Sequence, residues 1–535
     1  MRIALPVPAP LAATRPRGTR PRLAVALALA LLAVACTPRP AAAPSSSAAT
    51  TLITNATLID GTGTPARRAS VRVVGDRVQA VGELAPRAGE RVVDAGGLVL
   101  APGFVDTHSH ADGDLFEHRD ALAAVSQGIT TVVVGQDGGS PFPLADFYAR
   151  VEREPPTVNV AAYAGHGTLR ERVMGDDFRR AARPAEVDSM RTLLRGELAA
   201  GALGLSTGLE YDPGIFSARE EVVTLAKEAS AAGGRYISHV RSEDRHFWEA
   251  VDELIAIGRE ARLPVQLSHA KLAMRSLWGQ ADSLVRVLDR ARAAGVDVTA
   301  DVYPYTYWQS TLTVLFPERN FDDRVAATFA LTEVSTPAGL LLGRFDPDSS
   351  YVGKTVADVA RLRGTDSVTT LIALIRESLD MAKRTGRETE SVIGTSMEER
   401  DVERILQWPH ANVCSDGGLA GRHPRGFGTY PRVLGRYVRE RKVLALEDAV
   451  RKMTSLAAAH VGISGRGVVR PGAYADLVLF DPATVLDRAT PTDPQAVSTG
   501  IAGVWVNGRE VYRGGTVTEE RPGRVLRRAA SKARM

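Results

Sequence analysis

The sequence predicts an α/β protein: a (β/α)8 TIM-like barrel with a small β-sandwich domain formed from both chain ends. Three observations favour this fold. Short strand-like runs occur near both ends of the chain, eight further runs alternate with helical stretches between them, and polar side chains follow nearly all of these eight runs. Alternating strands and helices are typical of a parallel sheet, and eight repeats are the number that closes such a sheet into a barrel.

The composition is that of a folded globular protein of two or three folding units. Its 535 residues are 44% hydrophobic and 24% charged, which excludes a wholly disordered chain and a polytopic membrane protein. The formal net charge is +4, but five arginines lie in the first 22 residues, where there is no acidic residue. Basic and acidic residues nearly balance in the rest of the chain, so the charge gives no support to a nucleic-acid partner.

The first 35 residues have the features of a signal peptide. An arginine-rich stretch precedes an apolar run, Leu23 to Ala35, that is too short to span a bilayer but suits a cleaved signal. The run ends in small residues before Cys36 and resembles a bacterial lipoprotein signal, so we expect export and a lipid anchor at Cys36, facing the periplasm or the cell exterior. A secreted protein without lipid is the alternative. Residues 36–50 are a Pro/Ala/Ser-rich linker.

The β-sandwich domain is predicted from residues 51–101 and 465–528. Short alternating runs broken by Gly and Asp turns fill the first segment, and the same pattern returns in the second, where Asn507-Gly508 is a strong hairpin signal. The basic residues 529–535 are expected to be a solvated tail. The predicted strands are Thr51 to Leu58, Ser70 to Val74, Arg77 to Val81, Arg91 to Asp94, Ala475 to Phe480 and Gly503 to Val511.

The barrel is predicted from residues 102–464. Pro184 and the pair Ser217 and Glu220 indicate helix starts. The stretch from about 312 to 395 is too long for a loop and is expected to be an inserted lobe over the barrel mouth. The eight predicted strands are Gly103 to Thr107, Thr130 to Gly135, Asn159 to Ala164, Gly204 to Gly208, Tyr236 to Ser238, Val265 to Ser268, Val296 to Tyr303 and Asn412 to Ser415.

Polar side chains that end the barrel strands predict a metal site, because the carboxyl ends of the strands meet at one face of a barrel. Strand alternation places His108 and His110 on one face. Imidazoles and carboxylates suit Zn²⁺ best, with Mn²⁺, Fe²⁺ or Co²⁺ as alternatives. A lone strand-end histidine such as His166 is more often a core residue. The predicted ligands are His108, His110, His239, His269 and Asp416, with Asp137 and Glu210 as further candidates.

Six segments resemble the amidohydrolase superfamily and, within it, the D-aminoacylase branch. That resemblance implies a metal-dependent hydrolase built on a (β/α)8 barrel with a split β-sandwich. It further implies that His108, His110 and Asp416 hold one ion and that His239 and His269 hold a second. The segments are PGFVDTHSH (102–110), QGITTVVVG (127–135), NVAAYAGHGTLR (159–170), GLSTGL (204–209), DVYPYT (301–306) and GTYPRVL (428–434).

The chain departs from this family pattern at the residue that bridges the two ions. The family has a cysteine after the second strand, whereas this chain has Asp137 between Gln136 and Gly138. A carboxylate can bridge two cations through its two oxygens and is a harder ligand than a thiolate. Glu210 is the other candidate bridge, and whether one or two ions bind is left open.

The function implied by the resemblance is metal-dependent hydrolysis of the amide bond of N-acyl-D-amino acids. Metal-bound hydroxide is the expected nucleophile, and Asp416 is the expected general base and acid. Lys271, Tyr303 and Arg425 are implied to bind the substrate carboxylate. A dipeptidase or cyclic-amide hydrolase with the same metal chemistry is the alternative enzyme, and a non-catalytic exported binding lipoprotein is the alternative from another class. No oligomeric state follows from the sequence.

Overall fold

The computed structural model describes residues 50–529. The predicted signal peptide, Cys36, the linker before Thr50 and the basic tail after Ala529 lie outside the described residues. Within residues 50–529, no helix is both long enough and apolar enough to cross a membrane.

Eight parallel strands form a closed barrel, which confirms the predicted fold class. Barrel strand 3 is in two pieces: its first part pairs with strand 2 and its second part with strand 4. Two backbone hydrogen bonds just beyond the ends of strands 8 and 1 close the barrel. The N–H of Asp416 donates to the carbonyl of His108 at 2.8 Å, and the N–H of His110 donates to the carbonyl of Gly417 at 2.9 Å. Barrel strands 1 to 8 are Phe104–Asp106, Ile129–Val134, Asn159–Ala162 with Ala164–Gly165, Gly204–Gly208, Arg235–His239, Val265–Leu267, Val298–Val302 and Ala411–Val413.

Helices surround the barrel and bury one apolar side each. Helix Phe247–Ala261 is representative: its apolar residues recur every three or four positions, and Phe247, Val251 and Leu254 are buried. Each large side chain buried in this way contributes about 1.5–3 kcal/mol. The helices outside the lobe are Leu122–Val125, Leu144–Arg153, His166–Met174, Pro184–Ala200, Arg219–Ala231, Phe247–Ala261, Ala281–Ala293, Glu399–Gln407, Arg425–Arg432, the π-helix Val433–Glu440, Leu446–Met453 and Ser455–Val461.

One of the two predicted helix starts is confirmed and the other is wrong. Pro184 is the first residue of its helix, where its fixed φ suits the first turn. Ser217 does not cap the helix Arg219–Ala231, because that helix begins after Ala218. The hydroxyl of Ser217 instead donates to the carbonyl of Gly214 at 2.6 Å, closing the short turn that precedes the helix.

The sandwich domain is built from both chain ends, whose strands join in one nine-stranded sheet. Strand Val99–Pro102 pairs antiparallel with Leu477–Phe480, which connects the two ends. Asn507 and Gly508 both have positive φ, as the predicted hairpin turn requires. The strands are Thr50–Leu58, Arg67–Val74, Arg77–Gly82, Arg91–Asp94, Val99–Pro102, Leu477–Phe480, Ile501–Val506, Arg509–Arg513 and Thr516–Val517.

The segment after this sheet packs on the barrel rather than on the sandwich. Val160 of barrel strand 3 donates its backbone N–H to Arg524 at 2.9 Å and accepts from Leu526 at 2.7 Å. The sequence predicts that these residues belong to the sandwich domain, since the predicted segment 465–528 includes them. A short run of residues does not show which distant strand it will pair with.

An inserted lobe occupies the stretch between barrel strands 7 and 8. Its three-stranded antiparallel sheet has the order Tyr307–Ser310, Glu390–Thr395, Leu340–Phe345. The lobe therefore starts at about residue 307, a few residues before the predicted start at about residue 312. Its apolar residues, among them Leu342 and Leu371, form a cluster separate from the barrel core. Its helices are Arg324–Phe329, the π-helix Ala330–Val334, Val356–Arg363 and Ser367–Thr385.

We expect Glu390, at the start of a lobe strand, to make the stability of the protein depend on pH. One oxygen accepts the backbone N–H of Leu312 at 2.7 Å, and the other has no hydrogen-bond partner among the described residues. Burial raises the pKa of Glu390 to about 8. Because the folded state binds this proton more tightly than the unfolded state, the free energy of unfolding falls as the pH rises from about 4.5 to 8.

We expect Glu390→Gln to remove this loss of stability. At pH 5 the Tm of the variant should equal that of the original protein, and at pH 8 it should be higher by about 2 °C or more. Thermal unfolding followed by circular dichroism at the two pH values measures the difference. Glu318→Gln, at an exposed position elsewhere in the inserted lobe, is the control and should shift neither Tm. A Tm difference of equal size at both pH values contradicts the prediction.

Candidate active site

Six of the predicted metal ligands converge at the carboxyl ends of the barrel strands. One nitrogen or oxygen atom from each of His108, His110, Asp137 and Asp416 lies within 4.8 Å of the others, and Asp137, His239 and His269 form a second such group. Asp137 belongs to both groups. Its Oδ2 is 3.4 Å from Nε2 of His108 and of His110, and its Oδ1 is 3.5 Å from Nε2 of His269.

Three of these residues have strained backbones. Asp137, His269 and Asp416 have φ values of 52°, 33° and 51°, in the left-handed region that residues other than glycine rarely adopt. Each follows the end of its barrel strand by two or three residues. Backbone hydrogen bonds hold two of them: Asp416 donates to the carbonyl of His108, and His269 donates to Asp301 Oδ1 at 2.5 Å. The strain turns side chains from separate strands toward one point, which is typical of functional sites.

Three buried polar atoms of this cluster lack hydrogen-bond partners among the described residues. Neither ring nitrogen of His108 has a hydrogen-bond partner among the described residues, and neither does Oδ1 of Asp137. His108 is fully buried. Buried polar atoms left unpaired are costly, and native structures rarely contain them without a ligand, ion or water. Imidazole nitrogens and carboxylate oxygens are the donors that bind Zn²⁺ and similar divalent cations.

The two carboxylates of the cluster are ionised despite their burial. Burial alone would raise the pKa of Asp416, but the Arg425 guanidinium, 2.6 Å from its Oδ2, and the imidazoles of His269 and His108 hold that pKa well below its usual value. The pKa of Asp137 is likewise lowered, against burial, by His108 and His269. Both groups are therefore anionic at neutral pH and suited to a cation.

A cavity of about 660 Å³ opens beside the cluster and contains the three residues predicted to bind a carboxylate. The Arg425 guanidinium lies 4.9 Å from the ring centre of Tyr303, and Nζ of Lys271 lies 5.8 Å from it. The hydroxyl of Tyr303 and Nε of Arg425 have no hydrogen-bond partner among the described residues. Both residues line the cavity, and buried donors without acceptors at its wall are suited to an anionic ligand.

The sequence profile of the amidohydrolase family matches residues 91–342 and 323–512. This chain belongs to the amidohydrolase family.

Several relatives resemble this amidohydrolase over nearly its whole length. It is 40% identical to an N-acyl-D-glutamate deacylase from Alcaligenes xylosoxydans xylosoxydans, over 89% of this chain and 96% of that protein. It is 37% identical to a D-aminoacylase from the same organism, over 90% of this chain and 98% of that protein. A crystal structure of the N-acyl-D-glutamate deacylase from Bordetella bronchiseptica, complexed with zinc and a phosphonate inhibitor that mimics the tetrahedral intermediate, has a TM-score of 0.80 at 37% identity, covering 90% of this chain and 100% of that one.

Glu210 of this amidohydrolase lies at the predicted strand end but outside the two groups that share Asp137. It was a candidate bridge between two ions, but it belongs to neither of the two groups that share Asp137. Its Oε2 lies 2.8 Å from Nε2 of His239, on the side of the ring that faces away from His269. Sequence reasoning placed Glu210 at the correct strand end, but residue type alone does not say which histidine nitrogen a carboxylate faces.

Two polar residues that contact the candidate site of this amidohydrolase were not predicted from the sequence. Glu243 accepts a hydrogen bond from Nζ of Lys271 at 2.5 Å, and it lies 3.1 Å from Nδ1 of His269. His423 accepts the backbone N–H of Arg425 at 3.0 Å and so fixes the position of that residue. Both lie in loops that follow barrel strands, and the only signal was their closeness in sequence to His239 and Arg425.

Two other polar residues of the barrel lie outside the cluster. His166 is 2.7 Å from Glu221, which also pairs with Arg170, so this strand-end histidine hydrogen-bonds to a buried ion pair. Cys414 is fully buried, and its thiol donates to Asp301 at 3.2 Å. Burial raises the pKa of that thiol far above its usual value, so Cys414 packs as a core residue.

Proposed function

We propose that this amidohydrolase hydrolyses the amide bond of N-acyl-D-amino acids with bound Zn²⁺. The observation that carries the proposal is that ionised carboxylates and unpaired imidazole nitrogens converge beside a cavity with free donors for an anion. Relatives named N-acyl-D-glutamate deacylase and D-aminoacylase, each similar over most of their length, support this substrate class.

The donor set fits one or two divalent cations. His108, His110 and Asp416 would hold one ion, and His239 and His269 would hold a second; Asp137 belongs to both groups of donors and could contribute to either. Zn²⁺ suits these ligands best, and Mn²⁺, Fe²⁺ or Co²⁺ are alternatives. A bound cation of this kind lowers the pKa of a water molecule and withdraws charge from the scissile carbonyl.

Asp416 is the residue that moves the proton. Its Oδ2 pairs with Arg425 and its Oδ1 lies 3.1 Å from His110 Nε2, and Asp416 is one of the residues that line the cavity. As the water oxygen bonds to the carbonyl carbon, Asp416 accepts a water proton. It then gives that proton to the nitrogen as the C–N bond breaks, so that a carboxylic acid and a free amino acid leave.

Tyr303 supplies a test of carboxylate binding. We expect Tyr303→Phe to lower kcat/KM on an N-acetyl-D-amino acid by about 10-fold, mainly through KM, because one hydrogen bond to a charged group is lost. The control is the same substrate with its carboxylate replaced by a neutral amide. Because this substrate carries no carboxylate charge, the substitution should change its kcat/KM much less. Steady-state kinetics on both substrates measure the effect, and an equal loss on the amide contradicts this role.

The function itself is tested with the purified full chain. We expect release of free amine from N-acetyl-D-amino acids, loss of that activity with a chelator, and recovery with Zn²⁺ or Co²⁺. N-acetyl-L-amino acids, dipeptides and cyclic amides belong in the same assay, because activity on those alone identifies the alternative enzymes. A metal-loaded protein that releases no amine from any of them overturns the proposal and favours a binding protein.

We also propose that the protein is exported and anchored through lipid at Cys36, with the enzyme facing the periplasm or the cell exterior. The support is the signal-like segment of residues 1–35 that ends at Cys36. Metabolic labelling with palmitate should mark the original protein and not Cys36→Ser. Equal labelling of both proteins, or of neither, overturns the anchor.

A further inference from the structure

We infer that Glu210 is a positioning residue: its carboxylate holds the ring of His239 so that Nδ1 faces Asp137 and His269, and thereby strengthens divalent-cation binding there. This role rests on the proposed metal-dependent function. It differs from the bridging role that the sequence suggested, because Glu210 acts on a cation through His239.

The two nitrogens of His239 have different surroundings. Nδ1 lies 3.0 Å from Nε2 of His269 and 3.1 Å from the hydroxyl of Tyr211, whereas Nε2 lies 2.8 Å from Oε2 of Glu210. A carboxylate only accepts hydrogen bonds, so Nε2 of His239 carries the proton. In a neutral imidazole the lone pair is then on Nδ1, the nitrogen that lies beside Nε2 of His269.

Glu210 is itself held in place. It is 7% exposed, and its Oε1 accepts the backbone N–H of Glu243 at 3.4 Å. The guanidinium of Arg319 donates to the backbone carbonyl of Glu210 at 2.7 Å and to Asp212 at 2.8 Å. Arg319 comes from the inserted lobe, so the lobe supports the position of Glu210 and, through it, of His239.

His269 has no comparable arrangement. Its Nδ1 lies between a donor, Nζ of Lys271 at 2.7 Å, and an acceptor, Oε1 of Glu243 at 3.1 Å, so no single carboxylate fixes its tautomer. A buried carboxylate that accepts from the outer N–H of a metal-bound histidine fixes its orientation and makes it a stronger ligand. In the second group of this site, that description fits Glu210 and His239.

A third cation between Glu210, His239 and Glu243 is the competing explanation, because these three residues also lie within 4.8 Å of one another. The charges around Glu243 oppose it. The Lys271 ammonium is 2.5 Å from Oε1 of Glu243 and already neutralises that carboxylate. Binding a cation at Nε2 would also remove the hydrogen bond between His239 and Glu210. The geometry therefore favours positioning.

The test measures Zn²⁺ affinity by competition with a chromophoric chelator, so it does not depend on activity. We expect Glu210→Met to weaken one site by about 10–100-fold. Glu210→Gln should show a smaller loss, because its amide oxygen still accepts the hydrogen bond but has no charge. Glu221→Gln is the matched control: Glu221 accepts from the buried His166 at 2.7 Å outside both metal groups, and this change should leave Zn²⁺ affinity unaltered.

A second measurement reports the His239 ring directly. In metal-free protein labelled with ¹⁵N-histidine, NMR should show His239 protonated at Nε2, and Glu210→Gln or Glu210→Met should reduce that tautomer. If both variants keep the Zn²⁺ affinity and the His239 tautomer of the original protein, the positioning role is overturned. It is also overturned if the variants bind one Zn²⁺ fewer per chain while the affinity of the other sites is unchanged, because Glu210 is then itself a ligand of that ion. Absence of hydrolysis in the original protein, with the affinity loss still present, overturns the proposed function and leaves the role of Glu210 standing.

Discussion

Asp416→Asn should abolish turnover of N-acyl-D-amino acids, with kcat reduced by about 10³-fold or more. Asn has the shape of Asp and can still accept a hydrogen bond from Arg425, but at neutral pH it takes no proton from water and returns none to the leaving nitrogen. General acid–base groups contribute about 10²–10⁴-fold to a rate, and here one residue is asked to serve both steps.

The measurement is kcat at saturating Zn²⁺, with metal content determined on the same preparation. Asp416 also belongs to the group with His108, His110 and Asp137, so metal content separates loss of the ion from loss of proton transfer. Since the work of Asp416 lies in the transition state, substrate binding should persist in part. Near-normal kcat in the metal-loaded variant contradicts the assignment.

The barrel and the identity of the clustered residues could be read from the sequence because both depend on local patterns. The alternation of barrel strand 1 puts His108 and His110 on one face, and every strand of a parallel barrel ends at the same rim. His239, His269 and Asp416 therefore meet although they lie far apart in the chain, and the structure brings them together.

The errors share one cause, which is that they depend on contacts between distant segments. Glu243 and His423 lie in loops whose course no periodic pattern reveals. The start of the lobe was misplaced because strand Tyr307–Ser310 pairs with Glu390–Thr395, more than eighty residues later. Glu210 lies at the predicted strand end, but which nitrogen of His239 it faces depends on the orientation of that ring, which the sequence does not show.

His108→Asn should remove most of the stabilisation that Zn²⁺ gives to the fold, together with the activity. A ligand that binds only the folded state stabilises it by RT ln(1 + [L]/Kd), about 4 kcal/mol at a thousandfold excess over Kd. His108 is fully buried, and both of its nitrogens lack hydrogen-bond partners among the described residues, so a bound ion satisfies a group that the protein alone leaves unpaired. Its loss weakens the group formed with His110, Asp137 and Asp416.

The rise in Tm on adding Zn²⁺ to metal-free protein measures this effect without any substrate. We expect a clear rise in Tm for the original protein and a much smaller one for His108→Asn. In a separate activity assay, kcat/KM of His108→Asn should fall by about 10³-fold or more, because a ligand of the catalytic ion is removed. His166→Asn is the control, because that strand-end histidine pairs with Glu221 outside the cluster. It should lower the Tm of the metal-free protein yet keep the rise with Zn²⁺. An equal rise in both variants contradicts a metal site at His108.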